Sequence, residues 1–259
     1  YTNGENVLYW HWSPNYDFQM NLPIEGYNEC LITYILAASS PDHAIDPQAY
    51  HQGWARNGNI VASNSTYGLP LILKHNGHQQ YGGPLFWAHY SYLGLNPTNL
   101  SDQYANYWQL NKNQTLINYK YCVENPHNFS GYGENFWGLT ASYTKNSDGS
   151  IGYTAHSPSN DRGIVSPTAA VSSIPYTPDE SLAFMHNIYE NHNSLSWGPA
   201  GFYDAISLVG SNWSAKRYLA IDQGPMIVMI ENYRTGLIWD LFMQAPEIQN
   251  GLDTLGFTY

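Results

Sequence analysis

The sequence predicts an all-α fold, a helical scaffold carrying long loops, on three observations. Apolar residues recur at helical spacing in several segments, helix-start signals precede them, and the period-two alternation of strands is weak throughout. With 259 residues and no recognisable linker, the chain reads as one compact unit over 1–259.

The first helix is expected in the run Gly26 to Ala38. Tyr27, Cys30, Leu31, Tyr34, Ile35 and Ala38 make one stripe, and Ile32 and Leu36 make the other face apolar too, so burial on both sides is expected. Asp46-Pro47 signals a start for Gln48 to Trp54, because an acid accepts from free amides at a helix N-terminus and proline leaves no amide unpaired. A Tyr- and Asn-rich segment between Leu100 and Val123 reads as a further helix. Thr177-Pro178-Asp179-Glu180 reads as a capping box, followed at helical spacing by Leu182, Met185, His186 and Tyr189. Pro225 to Met243 reads as one last helix, apolar nearly all round and deeply buried. The stretches Asn57 to Gly83 and Tyr143 to Pro167, rich in Gly, Pro, Ser and His, read as functional loops.

Composition narrows the function. Charged residues are only 11% of the chain while Tyr appears 23 times and Trp nine times, so many rings must face something other than a core. A net charge of -11 with nine Lys plus Arg excludes a nucleic-acid binder, which needs clustered cations. Rings with Asn, Gln and a few acids suit a neutral sugar, whose C–H faces stack on aromatics and whose hydroxyls need both donors and acceptors. No metal-ligand spacing, phosphate loop or nucleophile elbow is present, so neither metal nor cofactor is expected. No apolar run reaches membrane-spanning length. Cys30 and Cys122 read as buried free thiols.

Among the acids, those in apolar or aromatic surroundings are the candidates for chemistry. Glu29 sits at the start of the first helix, where desolvation would raise its pKa as a general acid needs. The helix N-terminus favours the anion instead, and the pattern alone favours a role in satisfying backbone donors. Glu134 lies among rings in Gly131-Tyr132-Gly133-Glu134-Asn135-Phe136-Trp137, as a sugar subsite or a cap. Asp222 reads as the cap of the last helix, and Glu231 with Arg234 as an ion pair or a substrate-orienting pair. Tyr9-Trp10-His11-Trp12 puts Trp10 and Trp12 on one side of an extended segment, as a stacking platform or a core contribution.

A series of motifs runs in order along nearly the whole chain. They are Leu8-Tyr9-Trp10-His11-Trp12-Ser13-Pro14, Gly26-Tyr27-Asn28-Glu29, Gly82-Gly83-Pro84-Leu85-Phe86, Gly131-Tyr132-Gly133-Glu134-Asn135 and Trp137-Gly138-Leu139-Thr140-Ala141-Ser142. Pro167-Thr168-Ala169-Ala170, Tyr176-Thr177-Pro178, Gly201-Phe202-Tyr203-Asp204-Ala205 and Ala220-Ile221-Asp222-Gln223-Gly224-Pro225 follow. Together they resemble the glycoamylase-type domain family that includes bacterial endo-β-1,2-glucanases. The resemblance implies an (α/α)6 barrel, inverting hydrolysis of β-1,2-glucan or its oligosaccharides, and Glu29 as general acid. It implies Trp10, Trp12, Trp137 and Tyr176 as stacking residues, with His11, Glu134, His156, Glu231 and Arg234 binding hydroxyls or holding the acid. A periplasmic or secreted bacterial protein is expected. Such a barrel takes twelve helices, more than the signals here supply, so the chain resembles the C-terminal part of the domain. Its missing N-terminal part is then the expected partner and the expected source of the second carboxylate. A non-catalytic glycan-binding module and a transglycosylase of the cyclic β-glucan synthase type remain the alternatives.

Overall fold

The computed structural model describes residues 2–76 and 80–259, so residues 77–79 of the first long loop lie outside the described part. Its α-helices are α1 (Leu31–Ala38), α2 (Tyr107–Glu124), α3 (Pro167–Val171), α4 (Pro178–Glu190), α5 (Asn193–Ser196), α6 (Ala220–Thr235), α7 (Leu237–Met243) and α8 (Pro246–Thr254). Among the described residues four antiparallel hairpins interrupt them: β1 (Ser65–Thr66) with β2 (Leu69–Pro70), β3 (Ala141–Lys145) with β4 (Ile151–Ala155), β5 (Trp197–Gly198) with β6 (Gly201–Phe202), and β7 (Ile206–Ser207) with β8 (Trp213–Ser214). The fold is therefore helix-rich with small sheets rather than all-α.

The β3–β4 hairpin occupies the start of the second predicted loop, in register from Ala141↔Ala155 to Lys145↔Ile151. Its turn is closed locally: Asp148 accepts from the Ser150 amide at 2.9 Å and Gly149 takes φ 83°. A short ribbon with one turn needs no hydrophobic alternation, so periodicity does not reveal it.

Helix α2 joins two apolar cores. Its N-terminal half gives Tyr107 and Leu110 to a core built on α1, Trp54 and α8, while Tyr121 and Cys122 enter a second core with Trp137, Phe184 and Met226. Between them α2 buries Asn111, Asn113, Gln114 and Asn118, which are costly unless paired. Asn113 Nδ2 donates to the Pro70 carbonyl at 2.8 Å. Asn118 donates to the Leu139 carbonyl at 3.1 Å and accepts from the Leu139 amide at 3.0 Å, replacing a strand partner for that loop. At the N-terminus Asn106 accepts from the Gln109 amide, and Asn125 ends the helix in the left-handed conformation.

Helix α1 is shorter than expected and buried on one side only. Leu31, Tyr34, Ile35 and Ala38 face the core, whereas Leu36 is exposed. It packs on α8, an element the sequence reading did not contain, so closely that a Cβ on Gly251 would lie 2.5 Å from the Ile35 carbonyl oxygen. The expected helix after Asp46-Pro47 is a π-helical turn, Ala49–Trp54.

Helix α4 is rotated from the expected stripe. Ser181, Phe184 and Ile188 are buried, while Leu182 and Tyr189 are exposed. The expected capping box is absent: the Thr177 hydroxyl bonds the Ser173 carbonyl and lies 3.4 Å from the Ser181 hydroxyl instead. The expected single last helix is two. Helix α6 contains Pro225 and ends at Gly236, whose φ of 73° forms a left-handed cap before α7 begins. Neither is buried all round, since Ile227 and Leu241 are 70% and 62% exposed. No described helix is long and apolar enough to cross a membrane. Cys30 and Cys122 are free and buried, as read from the sequence.

Asn118→Ala leaves the buried amide of Leu139 without its acceptor, while the carbonyl keeps its bond from the Leu85 amide, and is expected to lower unfolding stability by about 1–3 kcal/mol. The midpoint shift in urea denaturation measures it.

Candidate active site

Glu29 lies in the turn before α1, within a backbone clamp that leaves little choice of residue. Gly26 takes φ 75°, and a Cβ there would sit 3.0 Å from the Asn76 amide nitrogen, so only glycine fits without strain. Its amide donates to the Trp54 carbonyl at 2.9 Å, and the Tyr27 amide donates to the Lys74 carbonyl at 3.0 Å. Asn28, itself buried, accepts from the Cys30 amide at 2.8 Å. The Ser91 hydroxyl donates to the Glu29 carbonyl and accepts from the Ile32 amide, which ties the turn to the 3₁₀ turn Tyr90–Leu93. The Glu29 side chain is thereby partly buried, and desolvation raises its pKa against the lowering effect of a backbone hydrogen bond.

The same 3₁₀ turn carries Tyr90 toward a second pair of acids, Asp204 and Asp222. Tyr90 Oη donates to Asp222 Oδ1 at 3.4 Å, and Glu29 and Asp222 both add negative potential at Tyr90. Asp222 sits inside α6 with its residue surface wholly enclosed, so the expectation that it caps the last helix is corrected: the helix starts at Ala220, before it. Asp204 precedes β7 and is also buried. The start of α3 brings the two together, because the Ser166 hydroxyl holds the Asp204 carbonyl at 2.6 Å and the Thr168 hydroxyl holds the Asp222 carbonyl at 2.9 Å. The Tyr143 amide of β3 donates to Asp204 Oδ2 at 2.7 Å. Burial, followed by the interaction with the neighbouring Asp204 carboxyl, pushes Asp222 up to about 8. Burial also raises Asp204, less the stabilisation it takes from Asp222 and the Tyr143 amide.

Sequence reasoning missed this pair because Pro225 was taken as the helix start. The available signal was that Asp204 and Asp222 each stand in a resembling motif with little charge around them.

The remaining predicted site residues are dispersed. Trp10, His11 and Trp12 line one open cavity of about 380 Å³ together with Tyr16 and Asp17. Both indoles are exposed, in a loop folded back by the Tyr9↔Pro23 and Ser13↔Asp17 bridges. Glu134 is exposed beside the tight Gly133–Phe136 turn. Glu231 and Arg234 pair at 3.5 Å on the outer part of α6.

Trp137 and Tyr176 are corrections. Trp137 is fully buried against Tyr119 and Phe184, and Tyr176 is buried with its hydroxyl donating to the Ala88 carbonyl at 3.1 Å, so neither offers a ring face to a sugar. Tyr176 instead continues a buried chain, accepting from Asn111, which accepts from Tyr27. His156 is buried with no hydrogen-bond partner on either ring nitrogen among the described residues, which denies it an open binding surface here. No group of three or more His, Cys, Asp or Glu among the described residues is placed to hold a metal ion.

An apolar groove of about 430 Å³ runs between α4 and α6, lined by Leu182, Met185, Tyr189, Trp197, Met226 and Ile227 among others. It explains the rotation of α4: the predicted stripe faces this groove.

The glycoamylase family model, described as putative glucoamylase, matches residues 21–246. The chain belongs to this family. It is 41% identical over 267 residues to an exo β-1,2-glucooligosaccharide sophorohydrolase (non-reducing end) of Parabacteroides distasonis, covering 96% of this chain and 36% of that protein. The structure of an endo-β-1,2-glucanase from Chitinophaga pinensis, a complex with sophorotriose and glucose, superposes with a TM-score of 0.94 at 55% identity, over 100% of this chain and 61% of that one. The crystal structure of a Bacteroides uniformis protein described as a putative glucoamylase gives a TM-score of 0.92 at 54% identity, over 99% and 60%. The chain thus spans about three fifths of these solved relatives and about a third of the sophorohydrolase.

Burial, and secondarily the Arg162 charge, depress the His156 pKa from 6.5 to about 4. The folded protein therefore binds fewer protons than the unfolded chain, and stability present above pH 6.5 is lost as pH falls toward about 4. His156→Phe is expected to remove roughly 1–3 kcal/mol of that acid sensitivity, measured as the difference between unfolding free energies at neutral and acid pH.

Proposed function

We propose that this protein hydrolyses β-1,2-glucan or its oligosaccharides with inversion, Glu29 protonating the departing glycosidic oxygen. The observation that carries the reading is the Glu29 carboxyl itself. It is partly desolvated in a glycine-locked turn and raised in pKa, which keeps a carboxylic acid protonated at a pH where ordinary surface glutamates are ionised. The names of the two β-1,2-glucan hydrolases it resembles support the substrate class.

Inversion also requires a base that activates water across the bond, with the two carboxyls about 6.5–9.5 Å apart. Asp222 is poorly suited to that task near neutral pH, since it holds a proton against Asp204. In this reading the base comes from polypeptide corresponding to the part of the relatives that the chain does not match. That polypeptide forms helices that cover the groove between α4 and α6 and complete an (α/α)6 barrel, of which residues 1–259 make one continuous part of a single domain. The exposed apolar side chains Leu182, Tyr189, Trp197 and Ile227 support this, because such a surface is costly in water and needs a cover. On the same reading the protein is proposed to act in the periplasm or outside the cell, where a glucan polymer would be met.

Glu29→Gln is expected to lower hydrolysis of β-1,2-glucan by about 10²–10⁴-fold in a protein that supplies both carboxylates, with the fold intact. A reducing-end assay measures this, and near-normal turnover removes Glu29 from the mechanism. Because the acid form is required, kcat falls as pH rises through the Glu29 pKa, so the alkaline limb of the profile is displaced upward from that of an ordinary exposed glutamate. Trp10→Ala and Trp12→Ala are each expected to weaken oligosaccharide binding by about threefold to tenfold through loss of ring stacking, read by calorimetry with sophoro-oligosaccharides.

A further inference from the structure

Asp204 and Asp222 show a complementary pattern of satisfied and unsatisfied oxygens. Each carboxyl has one oxygen occupied by a donor: the Tyr143 amide reaches Asp204 Oδ2 at 2.7 Å, and the Tyr90 hydroxyl reaches Asp222 Oδ1 at 3.4 Å. The other two oxygens, Asp204 Oδ1 and Asp222 Oδ2, are buried and have no donor among the described residues. Two ionised carboxylates in this enclosure would repel and leave both oxygens unpaired, a state that costs several kcal/mol in order-of-magnitude terms. A single proton turns the repulsion into a hydrogen bond and satisfies both at once. The amide on Asp204 favours its ionised form, so the proton resides on Asp222.

The consequence reaches Tyr90. Its hydroxyl spends its hydrogen on Asp222, which leaves the phenolic oxygen free to accept. Phe86 holds the ring at a centroid distance of 5.1 Å, and Ser91, the next residue, is bonded to the Glu29 turn. We propose that Asp204 and Asp222 form a one-proton carboxylate pair that positions Tyr90 as a hydrogen-bond acceptor for a hydroxyl of the sugar processed beside Glu29. Asp204 and Asp222 are positioning residues, and Tyr90 is the group that touches the sugar. The contact with sugar rests on the glycan reading above, whereas the shared proton does not.

The groups facing the pair are Tyr90 from the 3₁₀ turn, Tyr143 and Tyr153 from the β3–β4 hairpin, and Glu29 beyond Tyr90. Arg217 lies over the Tyr143 ring at 5.2 Å, and its carbonyl accepts from the Asp204 amide. The Arg217 guanidinium is committed to that ring face, and among the described residues no cation forms an ion pair with either aspartate that would let both ionise together. Above the pKa of the pair the second charge appears, and the repulsion pushes the Asp222 carboxylate, with the Tyr90 hydroxyl it holds, out of the position kept by the shared proton.

The substitution Asp222→Asn is informative because it imitates the neutral acid. Its amide hydrogen bonds Asp204 Oδ1 and its oxygen still accepts from Tyr90. Sophoro-oligosaccharide affinity, measured by calorimetry at pH 6 and pH 9, is expected to stay within about threefold of wild type for Asp222→Asn at pH 6, and to become less sensitive to pH. Asp222→Ala and Tyr90→Phe are expected to bind about tenfold more weakly. Carboxyl infrared spectroscopy of the full chain is expected to show a protonated carboxyl at pH 7 that titrates near pH 8 and is missing from Asp222→Asn. Asp204→Asn removes it as well, because the new amide donates to Asp222 and lets it ionise. Absence of that protonated carboxyl in the wild type overturns the pair. Equal loss of affinity in Asp222→Asn and Asp222→Ala overturns the positioning role. A wild-type chain that binds no glucan overturns the contact of Tyr90 with sugar together with the glucan reading, while the infrared titration still decides the pair.

Discussion

The structure depends on satisfying the polar groups that α2 takes into the interior. This helix is too rich in Asn and Gln to be a simple apolar strut, yet it lies between the two cores. Each buried amide side chain offers donors and an acceptor, and the irregular loops on either side carry backbone groups that no sheet satisfies. Asn113 and Asn118 use that match to fix the segments at Pro70 and Leu139, and Asn111 links Tyr27 to Tyr176. The long connections are thus held in place by α2, which allows a protein with little sheet to keep ordered loops around a site.

The acids at the site inherit their properties from that rigidity. Glu29 is held by the Gly26 turn and by Ser91, and Asp204 and Asp222 are held by the two hydroxyls at the start of α3. Ser91 and Tyr90 are consecutive, so one short turn connects the partly buried acid to the buried pair. The same desolvation acts on all three carboxyls with different outcomes. Glu29 is alone and raised, whereas Asp204 and Asp222 divide one proton because the Tyr143 amide supports the charge on only one of them.

Several features of the fold were legible in the sequence because they have short-range causes. The helical segments around Leu31 to Ala38, Tyr107 to Val123 and Pro178 to Tyr189 all exist, and the two thiols are buried and free. The orientation of those helices was less legible. The stripe Leu182, Met185, Tyr189 has the right period for a core face, yet it lines a groove, since apolarity alone does not say which neighbour covers a surface. Trp137 and Tyr176 illustrate the converse. Rings rich enough in number to suggest sugar contacts were spent on the cores. Trp10 and Trp12 do share a cavity, as alternate residues of an extended segment can, but His11 lines it too, which alternation does not predict and the folded-back loop decides.

The sequence by itself determined the helix-rich character and the likeness to glycoamylases, and that likeness singled out Glu29 as the candidate acid. These follow from composition, spacing and local motifs, all of which act over a few residues. Only the tertiary structure decided that Asp204 and Asp222 meet and that Tyr90 joins them to the Glu29 turn. Asp204 and Asp222 lie on separate elements, and no local rule brings them together. A carboxyl's pKa and role depend on the burial and charges that long-range packing assembles around it.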